Sequence, residues 1–456
     1  MSTAATSMHR AGGAVLPGRS GAANRSSAPA DASTDAPVEA DQDRAVRVAL
    51  VVVAALAVTV PLAVSRSAWA SPGGAGDFNR RVSIAPFDAI SAIALLWAVA
   101  NHRLVRSLAG SRVVLASAGA YVAAFALSLA GHPSWLGVAF GLRLAAGLGV
   151  VAAVGLATSQ QRARTLTLGV VVGVGVAQAA LALTQATRRQ AFGISPIDYP
   201  FPLLPVGSSV MVPGSLSHPY HLAVLLVVAQ GAAILALRDA PRRWPWLAAL
   251  ALLGTAIAVT YTRSGLIGQV LLLAVLAVDR RRWRQLLPIA AAIALGLLVG
   301  AVGFGDGWVA RGEVSVGANP SSDRGQRVDE SLELLRGDPI TGVGPGRYVT
   351  ALAEEPRATY LPAHDVVLHE AAELGVLGGA ATLALLALLV WRALRRGTWA
   401  LALTVPMLPF LVLDAFPYTF STGLALSAIW LGLVRRAMLP EATDPSTLPT
   451  TQAVPA

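Results

Sequence analysis

Near the C-terminal third, from Gly303 to Ala363, apolar sequence gives way to a stretch rich in Arg, Asp and Gly. It closes on His364-Asp365, and apolar sequence resumes through Glu373, Gly375 and Gly378. A long polar loop between apolar segments is a common seat of chemistry. Within it, SSDRGQRVDESLELLRGDP predicts a short amphipathic helix, with Val328, Leu332 and Leu335 as an i, i+4, i+7 apolar stripe and Ser322 or Asp323 at its cap. Arg324 and Arg327 fall near its first turn, where a cation opposes the helix dipole. Together with the free amides of the helix start they would hold an anion, for which phosphate is the natural candidate. Arg327 is a reserve for Arg324 and is expected to face solvent. The glycines of GVGPG, Gly342, Gly344 and Gly346, serve a tight irregular turn; a phosphate-cradling loop would need a strand before it and a helix after it.

Other ionisable residues sit where hydrocarbon is expected. Arg143 lies mid-span, where an unpaired charge costs about 3 kcal/mol or more, so it needs a carboxylate or a carrier phosphate as partner. His369, Glu370 and Glu373 lie one to two turns inside a membrane helix and should face the bundle interior. His369 and Glu370 read as structural. His218 and His221 have an i, i+3 spacing that metal sites use, but with no third ligand in sight they read as membrane-interface histidines. Taken alone, His364 would be a capping residue at a helix start.

These residues must be positioned by membrane helices. Of 456 residues 55% are hydrophobic and only 13% charged, against about a quarter charged in soluble domains; the mean hydropathy is +0.61. The net charge of +10 does not indicate a nucleic-acid binder, because the arginines cluster in short loops between apolar runs. There is no cysteine, hence no disulfide and no thiolate metal site. Apolar runs of span length begin at Ala45, Ile84, Val113, Trp135, Thr165, Leu216, Trp244, Ser264, Leu286, Val366, Thr398 and Pro417. Trp244 to Val278 would be roughly 50 Å long as one helix, well beyond a hydrocarbon core of about 30 Å, so a hairpin is expected at Tyr261 to Gly265. Arginine clusters fall in alternate loops, which makes those loops and both termini cytoplasmic and turns the long loop outward. The expected fold is all-α and polytopic: a disordered tail over 1–44, spans one to nine over 45–302, the large extracytoplasmic loop over 303–365, spans ten to twelve over 366–436, and a second disordered tail over 437–456. The first apolar run reads as an uncleaved anchor.

Four pieces in order now carry a resemblance. GSLSHPYHLA (Gly214 to Ala223), TRSG (Thr262 to Gly265), the run from Arg324 through PITGVG (Pro339 to Gly344), and His364-Asp365 with Gly375 and Gly378 resemble the O-antigen ligase and polymerase superfamily. The resemblance covers about Leu216 to Val434. It implies a GT-C-like membrane glycosyltransferase of the cytoplasmic (inner) membrane, which transfers a glycan from an undecaprenyl-diphosphate-linked donor to a glycan or lipid acceptor hydroxyl at the outer face. It implies no metal and no cofactor. By the same resemblance His364 is the base, a task suited to an imidazole of near-neutral pKa. Arg324 and Arg263 would bind the departing diphosphate through guanidinium forks. Glu373 fits the family's acidic position and would either orient Arg263 or His364 or form a structural ion pair. The sequence departs from the pattern at Asp365, which caps as well as Asn or Ser but adds negative charge beside His364, and at Tyr220, where Asn is usual.

Between Ser65 and Ser83 only Asp77 could serve a metal, so arginine is expected to do the work of Mg²⁺. With no paired carboxylates for a covalent intermediate, one inverting displacement is favoured. The competing class is a transporter or flippase of lipid-linked glycans or small anions, which would favour paired repeats and discontinuous helices around a midplane site. No repeat joins the two halves here, and the polar groups gather at one face. A non-catalytic envelope scaffold has no positive feature in its favour.

Overall fold

The structure is a computed structural model and describes residues 36–62, 66–70, 81–102, 112–194, 203–317, 320–353, 363–413 and 421–439. The chain divides into two units, Met1–Asp43 and Arg44–Ala456, and the helical bundle is the second. Among the described residues each of the twelve apolar runs falls on helix, the form in which a segment in hydrocarbon satisfies its own backbone. The first nine are α1 (Ala36–Thr59), α2 (Pro86–Ala100), α3 (Arg112–Gly131), α4 (Trp135–Ala157), α5 (Gln161–Arg188), α6 (Pro219–Asp239), α7 (Trp244–Val259), α8 (Arg263–Val278) and α9 (Trp283–Gly303). The polar interval follows with α10 (Gly305–Gly317), α11 (Pro320–Gly337) and α12 (Tyr348–Leu352). The remaining runs are α13 (Val366–Arg396), α14 (Thr398–Thr404) continued through a 3₁₀ turn into α15 (Leu408–Val412), and α16 (Ser421–Met438). Among the described residues six helices are long and apolar enough to cross a bilayer: Val113–Gly131, α4, α5, α6, Arg280–Gly303 and α13. Four shorter apolar ones are α2, α7, α8 and Thr398–Val412.

Three expectations change. The expected tail over 1–44 lies outside the described residues up to 35, and from Ala36 the chain is already α1. Within the interval 303–365 the described residues carry three helices where the sequence predicts only α11; α10 and α12 were unforeseen. The buried face of α11 is also not the Val328, Leu332, Leu335 stripe. Val328 is 43% exposed while Arg327, Glu330 and Ser331 are buried, because those polar groups satisfy one another and α12, as described below. Two short antiparallel pairs, β1 (Arg66–Ala70) with β2 (Arg81–Ile84) and β3 (Leu204–Val206) with β4 (Ser209–Met211), are the described exceptions to an all-helical chain.

The bundle packs around α6, which is buried along almost its whole length. Small residues allow close contacts. A Cβ on Gly296 would strike the Ala251 carbonyl, and Thr255 Oγ1 donates to the Gly296 carbonyl at 2.9 Å, so α7 and α9 touch backbone to backbone. The segment before α6 is fixed by two glutamines of α5. Gln185 and Gly214 exchange two hydrogen bonds (2.8 and 3.0 Å), and the Ser215 amide donates to Gln178 Oε1 at 3.0 Å. Gly214 has φ +64°, a left-handed conformation that suits glycine. The GSLSHP motif is therefore a clamped bend that sets where α6 begins. The chain also turns between α7 and α8 at Thr260 to Thr262, with Tyr261 left-handed at φ 52°.

Candidate functional site

His364 opens onto a cavity of about 130 Å³ lined by Arg327, Val328, Ala363, His364, Asp365, Leu368, Val412 and Leu413. Three elements wall it: α11, the start of α13, and the end of α15. Asp365 caps α13, its Oδ1 accepting from the Leu368 amide at 2.8 Å. That leaves His364 one residue outside the helix, beside amides whose partial charge favours anions.

Behind the cavity a buried polar network holds these elements together. Arg327 is only 2% exposed and is not the solvent-facing residue expected. Its Nη1 donates to Glu330 Oε2 at 2.9 Å, while Gln326 Nε2 donates to Glu330 Oε1 at 2.8 Å. Ser331 Oγ shares a hydrogen bond with the Tyr348 hydroxyl at 2.7 Å, which ties α11 to α12. Burial, with the neighbouring Glu330 charge adding to it, pushes the Tyr348 phenol up to about 12. Tyr348 stacks on His369 (4.9 Å between centroids). Glu373 accepts from the amides of Gly346 (2.7 Å) and Tyr348 (3.0 Å) and lies 3.5 Å from His369 Nε2. Glu370 Oε2 accepts the Tyr121 hydroxyl at 2.8 Å, adding α3. Glu373 is thus engaged by the loop before α12 rather than by Arg263 or His364. His369, Glu370 and Glu373 bring one ligand atom each within 4.8 Å of one another, but both Glu373 oxygens already serve backbone amides.

The PITGVG motif has a backbone reason. At Gly375 (φ 76°, ψ −178°) α13 is broken, which frees the groups on either side. The loop takes them up: the Val343 amide donates to Ala372 O (2.9 Å), Gly344 to Glu373 O (3.0 Å), and Val376 to Pro339 O (2.9 Å). Ser128 Oγ adds a bond to Glu373 O at 2.7 Å. Backbone approaches so closely that a Cβ on Gly375 would meet the Ile340 carbonyl and one on Gly342 the Glu373 backbone. Gly342, Gly344 and Gly346 all have positive φ, as turn glycines should. The far end of the loop is anchored by Asp338, which accepts from Thr341 Oγ1 (2.6 Å), the Thr341 amide (3.0 Å) and His132 (3.0 Å). The Thr341 hydroxyl and amide, then His132, hold the Asp338 carboxyl down at about 2.

Arg263 lies elsewhere. It is the first residue of α8, exposed, and does not line the His364 cavity. Around it are Tyr220, whose hydroxyl donates to Ser264 Oγ at 3.1 Å, His218, and Arg311 of α10, which had not been singled out. Burial and then the Arg263 charge lower the Arg311 pKa; desolvation and then the Arg311 charge lower that of His218. Among the described residues α15 touches both groups: its Phe410 packs edge-on against Tyr220 at 5.1 Å, and its Val412 lines the His364 cavity. Arg324 occupies α11 one turn before Arg327 and Val328, and its side chain lies outside the described residues. Arg143 resolves into the salt-bridge alternative. Its Nε meets Asp88 Oδ1 at 3.0 Å and its Nη2 donates to the Ser83 carbonyl. The readable signal was one Asp in the second span to balance one Arg in the fourth. His221 bonds Ser217 Oγ (2.9 Å) inside the bundle, and His218 caps α6.

Residues 248–383 match the family model described as O-Antigen ligase. The chain carries an O-antigen ligase domain. The matched stretch runs from α7 into the second half of α13. It holds the α7–α8 turn with Arg263, Arg311 of α10, the position of Arg324, the clamped loop, His364 and the break in α13, while His218, Tyr220 and α15 lie outside it. A comparison with curated proteins gives no match. The O-antigen ligase domain and the apolar helices around it make this a multi-pass membrane protein.

Proposed function

We propose that this protein is a membrane glycosyltransferase of the O-antigen ligase and polymerase type. It moves or polymerises a glycan from an undecaprenyl-diphosphate-linked donor onto an acceptor hydroxyl at the outer face of the cytoplasmic membrane. The twelve helical runs are read as twelve crossings of a GT-C-like bundle with both termini cytoplasmic. One observation carries the reading: inside the matched stretch, His364 sits beside a helix N-terminus in a cavity it shares with the buried Arg327. His364 takes the acceptor proton as the hydroxyl attacks the anomeric carbon. Arg324 and Arg263 stabilise the diphosphate as it leaves, and Arg327, paired with Glu330, supports the cavity wall. Attack from the side opposite the diphosphate inverts the anomeric centre, and guanidinium groups rather than a metal carry the charge.

The broken α13 is a feature that transporters also use, but here its freed backbone groups are bound by the loop 339–344 rather than turned to a channel, which supports the enzyme reading over the flippase. The test is transfer by the purified protein in liposomes containing an undecaprenyl-diphosphate glycan. His364→Ala should stay folded and lose about 10²-fold or more in rate, the scale of a general base. Wild-type turnover in this variant would remove His364 from the mechanism.

A further inference from the structure

We propose that Arg311 is a second guanidinium of the diphosphate site, paired with Arg263 across the start of α8, so that the two phosphates of the donor bridge α10 and α8. This rests on the reading of the chain as a diphosphate-lipid transferase, and it names a residue that reading did not use.

The geometry begins with the turn between α7 and α8. Tyr261 there is fully buried. Its hydroxyl donates to the Phe304 carbonyl at 3.0 Å, and its ring meets Trp308 edge-on at 5.5 Å. Trp308 Nε1 in turn donates to the Ala258 carbonyl at 3.1 Å. Gly307 lies so close that a Cβ would strike the Tyr261 ring. Residues 307 and 308 therefore define the face of α10 that lies on the turn. Arg311 follows them by four and three positions, on the same face. Arg263 is the first residue past that turn, and its charge lies near enough to lower the pKa of Arg311, as the Arg311 charge lowers that of His218.

Among the described residues the other groups at this place are mostly donors, with Asp306 the acid beside them. Thr262, at the cap position of α8, makes no capping bond; its hydroxyl is engaged with Thr260 Oγ1 at 2.8 Å. The first amides of a sixteen-residue helix are thus left for another acceptor. His218 Nδ1 accepts from the Tyr220 amide at 3.2 Å, which assigns the imidazole proton to Nε2 and makes that nitrogen a donor. Asp306 stands on the Tyr261 side of α10, where Ser208 Oγ donates to it at 3.4 Å. Two cations beside a helix N-terminus repel each other and oppose the dipole, and a bridging polyanion reverses both effects. One fork per phosphate matches a diphosphate better than a single phosphate.

Inorganic pyrophosphate is the probe, titrated into the full chain in neutral-lipid nanodiscs by calorimetry, with thermal melting alongside. Wild type should bind it and melt higher. Arg311→Gln should weaken binding about tenfold or more, as loss of a charge-assisted pair implies, without lowering the melting temperature of the unliganded protein. Arg311→Lys should recover only part of the affinity. Arg263→Gln should give a similar loss, and the double variant less than the sum of the two. Pyrophosphate binding by Arg311→Gln equal to wild type would overturn the assignment, as would wild-type protein that binds none. Orthophosphate or phosphatidylglycerol vesicles competing as well as pyrophosphate would overturn the diphosphate bridge. Binding that follows the expected pattern in a protein that transfers no glycan would sink the transferase reading and leave this site standing.

Discussion

Around α13 polar and charged groups are satisfied inside the protein, whereas around the start of α8 two guanidinium groups and a histidine converge, with Asp306 as the nearby acid. Arg327 is neutralised by Glu330, Asp338 is held by His132 and Thr341, and Glu373 is filled by two amides. Arg263, Arg311 and His218 gather at the other place from three separate segments. Internally satisfied networks fix shape, because every broken bond leaves a costly buried partner. Convergent charge does not fix shape; it raises affinity for an ion of the other sign. One region is therefore a frame that holds a small cavity and its histidine, and the other is a receptor. The short α15 touches both, through Phe410 on Tyr220 and Val412 at the cavity.

That contrast can be broken most sharply in the frame. Gly342→Ala puts a Cβ against the Glu373 backbone at a φ of +63°, and should cost about 3 kcal/mol or more from strain and overpacking together. A melting temperature equal to wild type in nanodiscs would mean that the loop is not seated in the α13 break. A smaller loss is expected from Glu373→Gln, about 2 kcal/mol, since an amide cannot accept from both Gly346 and Tyr348 as a carboxylate does. Hydrogen exchange at those two amides should speed up; unchanged protection would show that the carboxylate is not what holds them.

The smallest effect should come from the partly exposed Asp338. Its folded pKa, about 2, lies below the ordinary carboxylate value. Its stabilising contribution is then complete above about pH 4 and fades as the pH falls toward 2. Asp338→Asn should melt lower than wild type at neutral pH, with the gap closing as the solution is acidified; a gap that stays constant would take His132 and Thr341 out of the account.

Residue types and their periods alone determined the helical runs, the break between Trp244 and Val278, the turn glycines, the Asp365 cap and the interior placement of His369, Glu370 and Glu373. Each depends on local backbone preference or on the cost of polarity in hydrocarbon, and both are written in short windows of sequence. Tertiary structure alone decided which partner each polar group took. Arg143 chose Asp88, Glu373 chose a loop some 27 positions away, and Arg327 turned inward because Glu330 could neutralise it and Tyr348 closed over the same face. The meeting of Arg311 with Arg263 was equally hidden, since it follows from Trp308 and Gly307 packing on Tyr261. A charge pattern specifies that a partner is needed, but only the packing of distant helices brings one within hydrogen-bonding reach.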